Sequence, residues 1–135
     1  MRTRTTALLI AAGLSLAGCL DQKAEEIDPN LFPADYKKEV IETVMKLLDD
    51  PTNIREAAIS EPVLQPVGGV PRYVGCVRFN PRNYNHDYIG LVERIGYYYG
   101  GHLNQLLKAE PGQCSFATYQ PFPELEKICL GKKCE

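Results

Sequence analysis

Hydrophobic residues between positions 36 and 48 recur every three or four positions, which is the period of a helix with one apolar face. The positions on this face are Tyr36, Val40, Ile41, Val44, Leu47 and Leu48. Lysine and glutamate occupy most of the positions between them. Asp35 can cap the start of the helix, and Asp49-Asp50-Pro51 is expected to end it. The pattern predicts one amphipathic helix that packs on a core.

After residue 53 the apolar period changes to two, which is typical of strands. The expected segments are a strand over 54–64 broken at Pro62, a turn over 65–71, a strand over 72–79, a polar loop over 80–87, a strand over 88–99 and a turn at Gly100-Gly101. Residues 102–109 fit a strand or a helix. After Pro111-Gly112 the chain is expected to be irregular, with a short helix from Glu124.

These elements predict an α+β fold. It consists of one N-terminal amphipathic helix, a small antiparallel β-meander of about 3–4 strands, and an irregular, disulfide-bearing C-terminal tail.

The first eighteen residues have a different composition from the rest of the chain. Arg2 and Arg4 precede an uncharged, mostly apolar run over 7–18. A secretory signal has this arrangement. The run is too short for a membrane-spanning helix, which needs roughly 20 apolar residues.

The run ends in Leu16-Ala17-Gly18-Cys19, which resembles the lipobox of bacterial lipoprotein precursors. The resemblance implies a lipid on the Cys19 thiol and cleavage before Cys19, so that the signal peptide 1–18 is removed. Leu20 rather than an aspartate follows the cysteine, and by resemblance this favours the periplasmic face of the outer membrane. Two or three acyl chains would anchor the protein stably. The alternative is an ordinary signal peptide in which Cys19 has no special role.

Cleavage at this position would leave two further parts. Residues 19–34 are polar, contain two prolines and are expected to be the lipidated cysteine and a flexible tether. Residues 35–135 are enough for a single small domain with one core.

An even number of further cysteines in an exported chain indicates disulfides. The candidates are Cys76, Cys114, Cys129 and Cys134, which allow three pairings. A local bridge between Cys129 and Cys134 is the easiest to close, and it would leave Cys76 to pair with Cys114. The compact CxxC pairs of structural zinc sites do not occur in the sequence.

A second resemblance covers about residues 36–100. A helix end is followed by Asp50-Pro51-Thr52, and a cysteine-bearing strand from Cys76 ends in Asn80-Pro81-Arg82-Asn83 before Tyr88-Ile89-Gly90. The combination resembles small exported lipoproteins of alphaproteobacteria. Many of these carry glycine directly after the cysteine, where this chain has Val77. The resemblance concerns the fold and implies no activity.

Candidate chemistry is sparse. The two histidines, His86 and His102, stand in no metal-ligand spacing, and GxSxG, P-loop and GxGxxG motifs do not occur in the sequence. We therefore expect a protein that is not an enzyme and has no cofactor or metal. The net charge is −2 without a basic cluster, so nucleic acid is not an expected partner.

The loop over 80–88 is the best candidate for contact with a partner. Its candidate residues are Arg82, Asn83, Tyr84, His86 and Tyr88. Tyrosine and arginine are favoured at binding hot spots, although asparagine and aspartate also occur simply because turns need them.

The expected function is that of a non-catalytic binding module or accessory protein of the cell envelope. Its expected partner is an envelope protein, and it would contact the membrane through Cys19. An inhibitor or exclusion-type lipoprotein acting through this loop is the alternative, and a hydrolase is the least favoured. The sequence does not indicate the oligomeric state.

Overall fold

The computed structural model describes residues 24–128, which form a six-stranded antiparallel β-sheet with two helices. The helices are α1 Tyr36–Leu47 and α2 Pro123–Glu126. The strands are β1 Asp50–Ser60, β2 Val63–Val67, β3 Val70–Arg82, β4 Val92–Tyr99, β5 His102–Lys108 and β6 Tyr119–Pro121.

The predicted α+β fold, one helix followed by a meander of about 3–4 strands, is wrong. The described residues form mostly antiparallel sheet with six strands, and these strands do not all follow one another across the sheet. Their order is β5-β4-β3-β1-β6, with β2 paired to β3 beside β1. Val74 pairs with Val63 of β2 and with Tyr97 of β4, so β2 and β4 flank β3 on opposite sides. The second half of β3 pairs with β1, as at Val77 and Ile59. Strands β1 and β2 therefore lie one after the other along the same edge of β3.

The break at Pro62 explains this topology. Proline has no backbone N–H and interrupts a ladder, and β1 ends at Ser60 while β2 begins at Val63. Strand β3 has 13 residues and is long enough to pair with both segments. The predicted meander did not include the position of β1 between β3 and β6.

The tail is also more regular than predicted. Strand β6 pairs with β1, with Ile59 opposite Gln120, and the buried Phe122 precedes α2. Residues 102–109, which fitted either structure, contain strand β5. Strand β4 begins at Val92 rather than at Tyr88, so the polar loop is longer than the sequence indicated.

Both helices cover one face of the sheet. The buried residues of this core are Val40, Val44, Ile54, Ala57, Ile59, Val77, Phe79, Leu106, Phe122 and Leu125. The predicted apolar helix face is confirmed at Val40 and Val44, whereas Leu47 is 48% exposed. Asp35 occupies the N-cap position, but its side chain makes no capping hydrogen bond.

The opposite face of the sheet is covered by the segment 109–119. A disulfide between Cys76 and Cys114 ties this segment to β3, with an S–S distance of 2.06 Å, and confirms the predicted pairing. Val74 and Ile95 complete this second, smaller core. The middle of the sheet is thus covered on both faces. The predicted Cys129–Cys134 bridge and the predicted lipidation site Cys19 lie outside the described residues.

The two ends of the sheet differ in what they carry. Because the strands are antiparallel, the β2–β3 turn at Gly68-Gly69 and the β4–β5 turn at Gly100-Gly101 share one end, here termed the turn end. The start of β1 and residues 83–91 lie at the other end, here termed the loop end. Strand β4, which runs between them, has eight residues, so the ends are about 26 Å apart.

The N-terminal segment joins the domain at the turn end. The backbone N–H of Gly100 donates to the Pro29 carbonyl at 3.1 Å, and the Phe32 ring packs edge-on against Tyr73 at 5.3 Å. Pro33 is fully buried. Within residues 24–128, neither helix has the length and apolar character to cross a membrane.

Candidate functional site

Hydrogen bonds to two asparagine side chains shape the loop over 83–91: Asn83 lies in the loop and Asn80 lies just before it, in β3. The Asn83 side-chain oxygen Oδ1 accepts hydrogen bonds from the backbone N–H groups of Asn85 at 2.9 Å and Asp87 at 3.0 Å. The Asn83 N–H donates to the Asp87 carbonyl at 2.9 Å. Asn80 Oδ1 accepts from the Gly90 N–H at 3.0 Å. These local bonds are the ones by which asparagine stabilises turns, and they give the loop a defined shape.

A carboxylate at the start of β1 ties this loop to the sheet. The Asp50 side chain is 8% exposed, and its Oδ2 lies 2.8 Å from both Arg82 Nη2 and His86 Nδ1. Its Oδ1 accepts hydrogen bonds from the Thr52 hydroxyl at 2.5 Å and the Thr52 N–H at 3.0 Å. The contact with His86 requires a proton on Nδ1, because an ionised carboxylate can only accept. One buried carboxylate therefore joins the loop, β3 and β1.

These contacts keep Asp50 ionised. Burial alone would raise its pKa, but hydrogen bonds from the Thr52 hydroxyl, His86 and the Thr52 amide oppose burial. Together with the charge of Arg82 they hold the pKa of Asp50 well below its usual range. The loop is thus attached to a charge that persists over the whole physiological pH range.

The second attachment of the loop is Tyr88. Its hydroxyl donates to the Asn53 carbonyl at 2.6 Å, and the Arg55 guanidinium lies over its ring at 4.2 Å. Asn53 and Glu56 have positive φ angles of 52° and 56°, where β1 departs from regular pairing with β3. Glu56 in turn accepts a hydrogen bond from Asn80 at 3.2 Å. The irregular start of β1 therefore presents its carbonyl and side chains to the loop.

The structure divides the five predicted contact residues into two groups. Arg82, Asn83 and Tyr88 are half-buried and fix the loop, whereas Tyr84 is 76% exposed and the His86 side chain 69% exposed. Two exposed apolar side chains beside them were not predicted, Ile89 and Leu91, each 56% exposed. Tyr84, Ile89 and Leu91 are here termed the loop triad.

Asp50 was also missed, because the sequence placed it only at the helix stop. An Asp two residues before a threonine is a sequence signal for a local turn bond, and Thr52 does make that bond. The partners Arg82 and His86 are distant in sequence, and only the β1–β3 pairing brings them to Asp50.

Residue types that often take part in catalysis or metal binding make structural contacts in the described part of the chain. Cys76 is bonded to Cys114 and is therefore not a free thiol. His102 pairs with Glu39 at 2.7 Å, and Glu39 also accepts from the Leu103 N–H at 2.6 Å, so this histidine helps to hold α1 against β5. Within residues 24–128 no group of three His, Cys, Asp or Glu side chains is placed to ligate a metal ion.

Comparisons with protein-family models, curated proteins and solved structures give no match to this chain.

Asp50→Asn is expected to lower the free energy of unfolding by about 2–3 kcal/mol at pH 7, because the amide leaves Arg82 and His86 without a facing charge. The folded-state pKa of Asp50 is depressed, so its contribution is present at neutral pH. That contribution is lost as the pH falls below about 4, the ordinary pKa of an aspartate in an unfolded chain. The gap between wild type and variant should therefore narrow from pH 7 to pH 3 in urea unfolding.

The matched control is Asp49→Asn, which removes the same charge from an exposed neighbour. It should change the free energy of unfolding by less than about 0.5 kcal/mol. Equal effects of the two variants, or a gap that widens towards pH 3, would contradict the role given to Asp50.

Proposed function

We propose that this chain is a lipid-anchored, non-catalytic binding protein of the bacterial cell envelope, and that its loop end contacts a protein partner. The anchor is supported by the motif Leu16-Ala17-Gly18-Cys19 and by the basic and apolar residues before it. The same motif, followed by Leu20, supports the periplasmic face of the outer membrane as the location.

One observation carries the binding role: the loop triad is exposed on a loop whose backbone is fixed. Asn83 and Asn80 close the loop, and Asp50 attaches it to the sheet. Single exposed apolar residues are ordinary on a protein surface, but three of them share this short loop. A fixed loop loses less conformational entropy on binding than a free one, and this favours affinity.

The chemistry of the loop indicates the kind of surface it would contact. Tyr84 offers a large apolar ring with a polar tip, and Ile89 and Leu91 are purely apolar. Asn85, His86 and Asp87 lie between Tyr84 and Ile89 in sequence and add exposed polar groups to the same loop. A protein partner with an apolar depression and a polar border fits this arrangement, which is the usual anatomy of an interface.

The inhibitor alternative uses the same loop. A loop of defined shape with an exposed aromatic residue is also what insertion into an enzyme cleft would need. The two hypotheses differ in the partner, which would be a resident envelope protein in the first case and a secreted or foreign enzyme in the second.

Affinity capture with the full lipidated protein tests the proposal. Detergent-solubilised envelope membranes would be passed over wild type and over Tyr84→Ala/Ile89→Ala/Leu91→Ala. We expect a captured envelope protein whose yield falls about tenfold or more in the triple variant, because truncated hot-spot residues typically cost 2 kcal/mol or more.

The control is Leu47→Ala/Leu64→Ala/Leu107→Ala, which removes three apolar side chains of similar exposure elsewhere on the domain. Its capture should match that of wild type. Equal capture by both triple variants would contradict binding through the loop, and loop-dependent capture of an enzyme alone would favour the inhibitor.

A further inference from the structure

We propose that the turn end of the domain docks on the lipid surface to which the chain is anchored, so that the domain has a fixed orientation on its membrane. This inference rests on the proposed lipid on Cys19. It goes beyond the anchor because it assigns a second, non-covalent membrane contact to particular residues.

The contact surface is an apolar patch at the turn end, here termed the turn-end patch. It consists of six exposed side chains, Ile27, Leu31, Phe32, Val67, Val70 and Tyr99. Their exposed fractions lie between 37% for Val67 and 62% for Ile27. Contiguous exposed apolar patches are uncommon on proteins that contact only water, and they mark protein or membrane contacts.

Three segments form this patch. The N-terminal segment packs on the β4–β5 turn so closely that a Cβ on Gly100 would lie 2.7 Å from Ile27 and one on Gly101 3.1 Å from Leu31. The β2–β3 turn contributes Val67 and Val70, which pair with each other.

Strand β3 links this turn to the β4–β5 turn. The Arg72 guanidinium lies over the Tyr99 ring at 5.4 Å. Arg72, Tyr99 and Val67 also line one shallow groove of about 380 Å³. Arg72 therefore joins the apolar side chains of the two turns.

The length of chain before the patch identifies the lipid surface as its occupant. Ile27 follows Cys19 by eight residues, and eight residues span at most about 29 Å when fully extended. The N-terminal segment first packs on the domain at the turn end, so the turn end must lie near the bilayer. The loop end lies about 26 Å further along the sheet, so it would point away from the membrane, where a partner can reach it.

The charges nearby favour insertion into zwitterionic lipid. Glu25, Glu26 and Asp28 lie next to the patch in sequence, and acidic residues disfavour an anionic surface. Tyr99 and Arg72 combine apolar and polar parts, which suits the headgroup level of a bilayer. Binding should therefore depend on apolar contact and change little with salt.

The absence of tryptophan from the sequence makes a direct test available. Val70→Trp places a single fluorophore in the turn-end patch, and Ile89→Trp places one in the loop triad at the opposite end. Each full-length lipidated variant would be reconstituted in phosphatidylcholine vesicles with and without brominated lipid, which quenches only nearby tryptophan. Flotation of the vesicles would show whether each protein is anchored. A third variant, Val67→Trp, repeats the quenching measurement on the other arm of the turn.

We expect the Val70→Trp and Ile89→Trp proteins both to float. Brominated lipid should lower the fluorescence of Val70→Trp by about twofold or more and that of Ile89→Trp only a little. Flotation without quenching at Val70 and Val67, or with equal quenching at Ile89, would overturn the docking and leave the anchor intact. A blue shift at Val70 without quenching by lipid would assign the patch to a second protein copy and also overturn the docking. Failure of both proteins to float would overturn the anchor itself, and the docking with it.

Discussion

Val44→Asp is expected to lower the free energy of unfolding by about 4 kcal/mol, a large part of the roughly 5–15 kcal/mol that such a domain possesses. Val44 has no exposed surface and lies in the core between α1 and the sheet. An aspartate there would bring a charge into a cluster made of apolar side chains. The measurement is urea unfolding of the protein with its disulfides intact.

The matched control for this prediction is Glu42→Lys on the exposed side of α1. Glu42 makes only a long contact of 4.0 Å with Lys38, and both side chains are more than half exposed. Exposed pairs of this kind contribute little, so the change should stay within about 0.5 kcal/mol. Small effects of similar size at both positions would show that α1 does not pack on the sheet in solution.

Removing the disulfide by Cys76→Ala/Cys114→Ala is expected to cost about 4 kcal/mol. The bridge spans a sequence separation of 38 residues, and closing a loop of that length restricts the unfolded chain by this amount in the entropic model. The bond also holds the segment 109–119 over the second core. Urea unfolding of the variant against wild type measures the loss.

The comparison variant is Cys129→Ala/Cys134→Ala, which removes the predicted tail bridge. The sequence separation of these cysteines is only five, so the loop is shorter and the expected cost is about 2 kcal/mol. A larger loss from the tail pair than from Cys76 and Cys114 would contradict the assignment of the main stabilising bridge.

The sequence was informative where burial has a clear period. The helical spacing located Val40 and Val44. The period of two predicted a strand over 72–79, and in the structure Val77 and Phe79 face the helices while Val74 and Cys76 face the second core. The period of two assigns faces but does not specify neighbours. It therefore could not show that β1 and β2 pair one after the other along the same edge of β3.

Short elements escaped prediction for a related reason. Strand β6 ends in Pro121 and has three residues, and a strand of this length is too short to show a period. Its position is fixed by pairing with β1 and by the buried Phe122 behind it. The partners of both are distant in sequence, since β6 pairs with β1 and the Phe122 N–H donates to the Ala57 carbonyl, so local patterns do not show these contacts.

The candidate site was predicted in outline only. The sequence located the polar loop, but it could not distinguish residues that fix the loop, such as Arg82, from residues that the loop displays, such as Tyr84. Ile89 and Leu91 were assigned to a strand and their exposure was therefore missed. Asp50 was missed because its pairing with His86 spans 36 positions and depends on the register of β1 and β3.

We propose that lipid on Cys19 holds this domain on a membrane. The most direct test is the mass of the N-terminal peptide of the protein purified from membranes of a bacterial host with lipoprotein-processing enzymes. We expect a peptide that begins at Cys19 and carries the added mass of a diacylglyceryl group, with or without a further acyl chain on the amino group. A peptide that begins at Met1 or at any residue other than Cys19, or one that begins at Cys19 without lipid, would contradict the account.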